Sequence, residues 1–168
     1  AGAINDFTEA LRLDPSLKII YRYRALASYM LDKPINDVLA DYDKALEGWP
    51  NDVGTLLDAG ENCNHDNGPW QKCEGYFDRV LALQPDRKKA IFGKAEALYW
   101  AMQNDQYTGD ENVKKREIAA SFEKVAKMDP KFPNVHRRLG SLYYDLDDYD
   151  AAIREMTAAV EQKPEAYA

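Results

Sequence analysis

The chain has 168 residues, of which 45% are hydrophobic, and its 22 Lys and Arg against 29 Asp and Glu give a net charge of −7. A chain of this length can bury a core, while the acidic balance disfavours nonspecific binding to nucleic acids or anionic membranes, which needs a basic surface. No apolar run approaches the roughly 20 residues of a membrane span. The opening AGAINDFTEA has neither an initiator Met nor a signal-peptide pattern. These features predict a soluble globular or repeat protein, either a processed product or an excised fragment.

One sequence register recurs five times along the chain. Similar phrases end in a proline at positions 15, 50, 85, 130 and 164, at intervals of 35, 35, 45 and 34 residues. Eight residues before each proline stands an aromatic residue or Met: Phe7, Tyr42, Phe77, Phe122 and Met156. Five residues before it stands a small or β-branched residue: Ala10, Ala45, Val80, Val125 and Ala159. Self-similarity at such a period indicates a repeat architecture.

The last unit shows what one repeat contains. Leu139-Gly140 and Tyr143 fall on one face of a predicted helix, and Ala152 and Met156 fall on one face of a second helix. The polar stretch DLDDYD separates the two helices, and Pro164 stops the second one. Small residues at Gly140 and Ala152 allow the two helix backbones to approach closely. The unit is therefore predicted to be a helical hairpin.

This pattern resembles the tetratricopeptide repeat, a hairpin of about 34 residues with small residues near the middle of both helices and a closing proline. The resemblance implies an all-α, right-handed superhelical solenoid over residues 1–168. In chain order we expect a half repeat at 1–17, which supplies only a second helix, and then repeats at 18–52, 53–87, 88–132 and 133–166. No repeat carries the family's Trp at the start of its first helix, so the spacing rather than any single residue carries the resemblance.

The fourth repeat is longer than the others. Ala95 and Phe122 are 27 residues apart, against 16 between Gly140 and Met156, so about eleven residues are inserted between its helices, near 103–115. The polar segment predicts a surface loop or an extension of both helices. Either it contacts a specific partner or it is a tolerated insertion at a hairpin tip, and we favour the insertion.

In this family the first helices line the concave side of the solenoid, which suits an extended or helical peptide. The resemblance places the following residues there: Arg22, Tyr23, Leu26, Tyr29, Met30, Asp58, Glu61, His65, Lys89, Phe92, Glu96, Tyr99, Trp100, Arg137, Arg138, Ser141 and Tyr144. Aromatic residues and Arg are typical of binding hot spots, although some of these side chains could instead pack between repeats. We expect a peptide ligand with apolar anchors and an acidic group held by Arg137 and Arg138. A groove for chaperone C-terminal carboxylates is disfavoured, because the positions of its Lys and Asn residues contain no Asn and include an acidic residue: they read Arg22, Leu26, Asp58, Lys89 and Gly93.

The two cysteines, Cys63 and Cys73, flank the predicted turn of the third repeat. We favour two buried free thiols, because small buried cysteines are common. A disulfide is the alternative, since an antiparallel hairpin would bring the two residues to similar heights. A metal site with His65 and Asp66 is the weakest interpretation, because the spacing matches no strong zinc motif.

Catalysis finds little support in the sequence. The only histidines, His65 and His136, have no nucleophile beside them in a recognisable motif, and no phosphate-binding glycine loop is present. We predict a non-catalytic protein-interaction scaffold that needs no cofactor. Two alternatives stay open: a self-assembly module that stacks through uncapped ends, and a regulatory segment of a larger multidomain enzyme. A cytoplasmic location is favoured, with a periplasmic or secreted one if Cys63 and Cys73 are bridged.

Overall fold

A computed structural model describes residues 2–64 and 68–162 of the chain. Throughout these residues the regular structure is helical: α1 (Gly2–Leu13), α2 (Lys18–Tyr29), α3 (Ile35–Gly48), α4 (Val53–Cys63), α5 (Trp70–Leu83), α6 (Lys88–Gln103), α7 (Glu111–Met128), α8 (Val135–Asp145) and α9 (Tyr149–Gln162). The pairs α2–α3, α4–α5, α6–α7 and α8–α9 are helical hairpins, and each pair contacts the next. The helix α1 packs on α2 as a second helix without its own first helix. Pro164 and the predicted end of the last repeat lie outside the described residues.

Aspartates shape the ends of the helices. In three hairpins an Asp with a left-handed backbone stands two or three residues after the end of the first helix: Asp32, Asp105 and Asp147, with φ of 50°, 54° and 60°. Asp tolerates this conformation better than most residues other than glycine. In each case the next amide donates to a carbonyl five residues back, which closes the helix end. Two second helices and one first helix begin with an Asp side chain that accepts from a first-turn amide: Asp52, Asp110 and Asp148.

The core is built at the junctions between hairpins. Tyr42, Phe77 and Phe122, the aromatic residues of the repeating register, are completely buried. A Cβ added to Gly93 of α6 would lie 2.3 Å from the Phe77 ring, so the next hairpin's backbone rests directly on that ring. Each aromatic residue is therefore buried by its own hairpin and by the first helix of the next one.

The insertion of the fourth repeat lengthens both of its helices. The first helix α6 has 16 residues against 11 or 12 in the first helices α2, α4 and α8. The second helix α7 has 18 residues against 14 in the second helices α3, α5 and α9. Residues 104–110 connect them, and Tyr107 within this connection packs against the core. Within 103–115 the residues 104–110 are irregular, and the residues on either side belong to the ends of α6 and α7.

Cys63 at the end of α4 is joined to Cys73 in α5 by a disulfide, with the two Cα atoms 5.4 Å apart. The free thiols that we favoured from the sequence are therefore not what the structure holds. The two helices run antiparallel and meet beside Pro69, whose carbonyl lies near both sulfur atoms, so the positions face each other at bonding distance. A metal site on Cys63 is excluded by the same bond, and its other proposed ligands, His65 and Asp66, lie outside the described residues.

We expect glycine substitutions to report the tight junctions. Gly93→Ala should lower the free energy of unfolding by about 2 kcal/mol, because the buried Phe77 ring cannot retreat from the new methyl group. Gly140→Leu should cost about 1–3 kcal/mol, because its Cβ would lie 2.7 Å from the flexible side chain of Met156. Gly75→Ala is the control. It meets nothing within 4 Å and should gain up to about 1 kcal/mol from helix propensity. Urea unfolding measures the free energy of unfolding of the three variants. An unchanged value for Gly93→Ala would contradict the close packing of Gly93 on Phe77.

Removal of the disulfide should lower the free energy of unfolding, mainly because the unfolded chain gains conformational entropy. The bond closes a loop with a sequence separation of 10 residues, for which the chain-entropy model gives about 3 kcal/mol. Urea unfolding with and without reductant measures the loss, and a Cys63→Ala, Cys73→Ala double variant should show no response to reductant. Two reactive thiols in the denatured, unreduced protein would contradict the disulfide.

Candidate functional site

The first helices α2, α4, α6 and α8 lie side by side, and ion pairs cross each boundary between them. Arg22 of α2 pairs with Asp58 of α4 at 2.7 Å. Lys89 of α6 pairs with Glu61 of α4 at 3.2 Å. Arg138 of α8 pairs with Glu96 of α6 at 2.5 Å. The structure thus brings six of the predicted groove residues together in pairs, which link the successive hairpins on the face that the first helices line.

The first of these pairs is partly shielded from solvent. Burial by itself would lower the pKa of Arg22, but the hydrogen bond from its guanidinium to Asp58 and the nearby carboxylates of Asp58 and Asp52 raise it above its ordinary value. The arginine is therefore held in its charged form. It connects α2 to both the start and the middle of α4.

The most buried of the pairs lies at the α6–α8 boundary. The Arg138 guanidinium donates from Nε and Nη2 to Oε1 of Glu96, at 2.8 and 2.5 Å. It also lies 5.1 Å from the centroid of the Tyr99 ring and 4.8 Å from that of Trp100. The second Glu96 oxygen accepts from Asn64 Nδ2 at 3.5 Å. Arg138 is therefore held by a carboxylate and by two aromatic rings, an arrangement that favours a guanidinium.

The surroundings of Tyr99 also shift the pKa of its hydroxyl. Burial raises the pKa of Tyr99 above its ordinary value, although the neighbouring positive charge of Arg138 acts in the opposite direction. Tyr99 therefore remains neutral across the physiological range. It contributes a ring face to Arg138 rather than a charge.

A cleft of about 300 Å³ opens between α4, α6 and the connection from α7 to α8. Four of the predicted groove residues line it: Glu61, Lys89, Phe92 and Glu96. The sequence reasoning missed its other polar lining residues, Asn64 and Asn134, because they lie at helix ends rather than on a helical face. Asn134 has a left-handed backbone, with φ of 63°, and its side chain makes no capping hydrogen bond. An Asn directly after Pro133 was the signal available in the sequence.

Several predicted groove residues belong to the core instead. Phe92 and Tyr99 are buried, and Phe92 packs against Phe122 and Phe132 at centroid distances of 5.0 and 5.1 Å. Phe92 and Tyr99 are therefore unsuitable as exposed apolar anchors, because they lie in the buried cluster that joins α6 to α7 and α8. Leu26 and Tyr29 are half-buried against the core of the first hairpins.

Arg138 corrects a second expectation. We expected it to bind an acidic ligand together with Arg137, but its guanidinium is buried and already paired with Glu96. A ligand carboxylate would have to displace Glu96. Arg137 is only half-buried and makes no hydrogen bond or ion pair to any residue that the structure describes.

The remaining predicted residues lie towards the two ends of the array. Tyr23 is exposed and stacks on Phe7 at 6.3 Å, and Tyr144 is exposed with its ring 5.8 Å from that of Tyr149. Met30 is also exposed. His65 lies outside the described residues. The structure therefore does not gather the predicted aromatic residues into one strip.

Three further features of the described residues bear on function: metal-binding groups, histidines and membrane-spanning helices. Between 2–64 and 68–162 no group of three His, Cys, Asp or Glu side chains is placed to hold a metal ion. His136 is engaged in structure, with Nδ1 2.6 Å from Glu155 and Nε2 2.9 Å from the Pro130 carbonyl. None of the described helices has the length and hydropathy needed to cross a membrane.

The fold and its row of first helices define an α-helical repeat solenoid. Residues 116–167 match the family model described as tetratricopeptide repeat. The match begins within α7 and takes in α8 and α9, and the register that recurs along the chain resembles the same repeat in the preceding hairpins. Proteins of this family are generally scaffolds for protein–protein interaction.

Solved structures share the fold at low sequence identity. MamA 41-end from Desulfovibrio magneticus RS-1 is 17% identical, with a TM-score of 0.78 over 96% of this chain and 84% of that one. PilF from Pseudomonas aeruginosa is 16% identical, with a TM-score of 0.70 over 93% and 65%. A tetratricopeptide repeat protein from Parabacteroides merdae ATCC 43184 is 14% identical, with a TM-score of 0.75 over 96% and 59%. No curated protein sequence matches the chain. At these identities the similarity concerns the fold alone.

The buried pair at the α6–α8 boundary should matter more to stability than the exposed one. Glu96→Gln leaves the buried Arg138 without a counter-charge and should cost about 3 kcal/mol. The same change at Glu61, whose partner Lys89 is largely exposed, should cost no more than about 0.5–1 kcal/mol. Urea unfolding compares the two variants, and equal losses would show that Arg138 does not depend on Glu96.

Proposed function

We propose that this protein is a non-catalytic scaffold that binds an extended peptide segment of a partner protein on the face lined by its first helices. The observation that carries the proposal is the cleft between α4, α6 and the α7–α8 connection, where side-chain amides and charges surround an apolar floor. A few placed polar groups around an apolar surface are typical of ligand sites. The match of residues 116–167 to the tetratricopeptide repeat model supports a protein partner over a small molecule.

The chemistry of the cleft indicates what such a segment would carry. The Asn134 amide can donate to and accept from a peptide backbone. Asn64 offers its oxygen as an acceptor, because its Nδ2 already donates to the Gly93 carbonyl and to Glu96. Phe92 and Phe132 supply the apolar floor. Arg137 follows Asn134 by one helical turn and has no partner among the described residues. We therefore assign to it, with Lys89, the acidic group of the ligand that we had assigned to Arg137 and Arg138.

The disulfide supports a location for this activity. Disulfides persist in oxidising compartments and are rare in the cytosol. Cys63 and Cys73 are bonded, so we propose that the protein acts in a periplasmic or secreted setting.

A charge reversal tests the cleft without disturbing the core. A photo-crosslinking residue at Glu61 captures the partner, and the captured segment is then titrated against Lys89→Glu, Arg137→Glu. We expect its Kd to rise about tenfold or more, since two cations are replaced next to the proposed acidic group.

The control is Arg116→Glu, Lys124→Glu, which makes the same change of charge at exposed sites on the second helix α7. It should leave the Kd within about twofold of the original value. Equal weakening by both double variants would show that the effect is general electrostatics. Unchanged binding by the Lys89 and Arg137 variant would place the partner on another surface.

A further inference from the structure

Two junctions between hairpins contain a tyrosine whose hydroxyl donates to an acid at one fixed position of the repeat. The acid stands seven residues before the closing proline, as Asp43, Asp78 and Glu123. Tyr76 of α5 donates to Asp43 of α3 at 2.6 Å, and Tyr143 of α8 donates to Glu123 of α7. A phenol group bonded to this acid is therefore part of how these two junctions are packed.

The junction between them, where α5 meets the hairpin of α6 and α7, has the acid Asp78 but no tyrosine at either position. The residue aligned with Tyr76, nine before the closing proline, is Ser121. The residue aligned with Tyr143, thirteen after the preceding proline, is Leu98. A cavity of about 270 Å³ lies between the three helices, and Leu98 and Ser121 both line it. The cavity thus occupies a place that a phenol ring fills on either side.

The junction nearest the start of the chain is closed in another way. There the residue aligned with Lys94 is Arg24, and the residue aligned with Ser121 is Asp41. Arg24 and Asp41 form an ion pair at 2.7 Å. Ser121 has the smallest side chain of the five residues at its register position, which explains why space is left beside it.

The lining of the cavity is amphipathic. Its apolar wall includes Leu81, Ile91, Leu98 and Ile118. On its polar side Lys94 Nζ lies 2.6 Å from Asp78 and 3.2 Å from Glu74. An ammonium group has three N–H donors, so these two carboxylates leave one for a ligand. The lining holds two lysines and two glutamates, a balance of charge that suits a neutral ligand.

We propose that this cavity binds a small phenol. The ring would lie against the apolar wall, and the hydroxyl would donate to Glu74 and accept from Lys94, as the hydroxyl of Tyr76 donates to Asp43. A cavity of about 150 Å³ is enough for one benzene ring, so the ring and a small substituent fit. A helix, which is roughly 10–12 Å across, does not.

The cavity is separate from the cleft of the proposed function. Its lining comes from α5, α6 and α7, and none of its lining residues also lines the cleft between α4, α6 and the α7–α8 connection. Binding of a phenol is therefore independent of whether the cleft takes a peptide.

The test uses p-cresol, the side chain of tyrosine as a free molecule. It is titrated into the disulfide-bonded full chain, and the methyl resonances of Leu98 and Ile118 report the Kd. Saturable binding is expected. Toluene, which lacks only the hydroxyl, should bind at least about tenfold more weakly, because Glu74 and Lys94 then lose a partner. No saturable binding of p-cresol, or equal binding of toluene, would overturn the proposal.

Filling the cavity from the chain itself provides the second test. Ser121→Tyr should raise the Kd for p-cresol at least about tenfold, because it places a phenol where Tyr76 lies in the preceding hairpin. Leu98→Tyr should do the same from α6, as Tyr143 does from α8, and it replaces the first variant if circular dichroism shows that variant to be unfolded. Binding that a folded variant of this kind does not weaken would overturn the proposal.

Matched controls identify the site and the source of the phenol. Ala120→Tyr makes a comparable change at an exposed position of α7 and should leave the Kd within about twofold. The Lys89→Glu, Arg137→Glu variant should do so too, which distinguishes the cavity from the cleft. N-acetyltyrosinamide should bind more weakly than p-cresol. Tighter binding of the amide would assign the cavity to a tyrosine of a partner chain and overturn the choice of a free molecule.

Discussion

The structure depends on one contact repeated at each junction, in which a large side chain of a second helix is buried by the first helix of the following hairpin. Tyr42, Phe77 and Phe122 make this contact and are inaccessible to solvent. A single hairpin exposes such a side chain on one side, so its burial needs the neighbour. Stability in such an array is approximately a sum of hairpin terms and nearest-neighbour terms. Each inner hairpin therefore owes part of its stability to the hairpin that follows it.

The charges on the row of first helices serve the same stacking. Arg22 with Asp58 and Arg138 with Glu96 join neighbouring hairpins where water is partly excluded, so these side chains have little capacity left for a ligand. The binding that we propose would therefore use Arg137, which makes no ion pair among the described residues, and Lys89, whose ion pair is exposed.

Local sequence accounts for most of the helices but for less of the candidate site. The spacing of Phe77 and Pro85 predicts a helix and its end, because side-chain periodicity and proline act over one or two turns. The pairing of Glu96 with Arg138 spans 42 residues and depends on how the hairpins stack, which no local pattern contains. Asn134 was missed for a related reason, since it enters the cleft from a connection.

The cysteines show the opposite case. Cys63 and Cys73 lie close in sequence, and an antiparallel hairpin was correctly seen to bring them to similar heights. The sequence does not show whether two such cysteines also face each other. A disulfide and two free thiols both bury small side chains at these positions. That orientation is set by how the connection returns beside Pro69.

Residue-resolved hydrogen exchange of the isolated chain tests most directly the claim that each hairpin is stabilised by its successor. The helix α5 has a following hairpin that buries Phe77, whereas α9 leaves Met156 partly exposed in the described chain. The amides of α9 should therefore exchange through a local opening of lower free energy than those of α5. Equal protection of α5 and α9 would contradict the account.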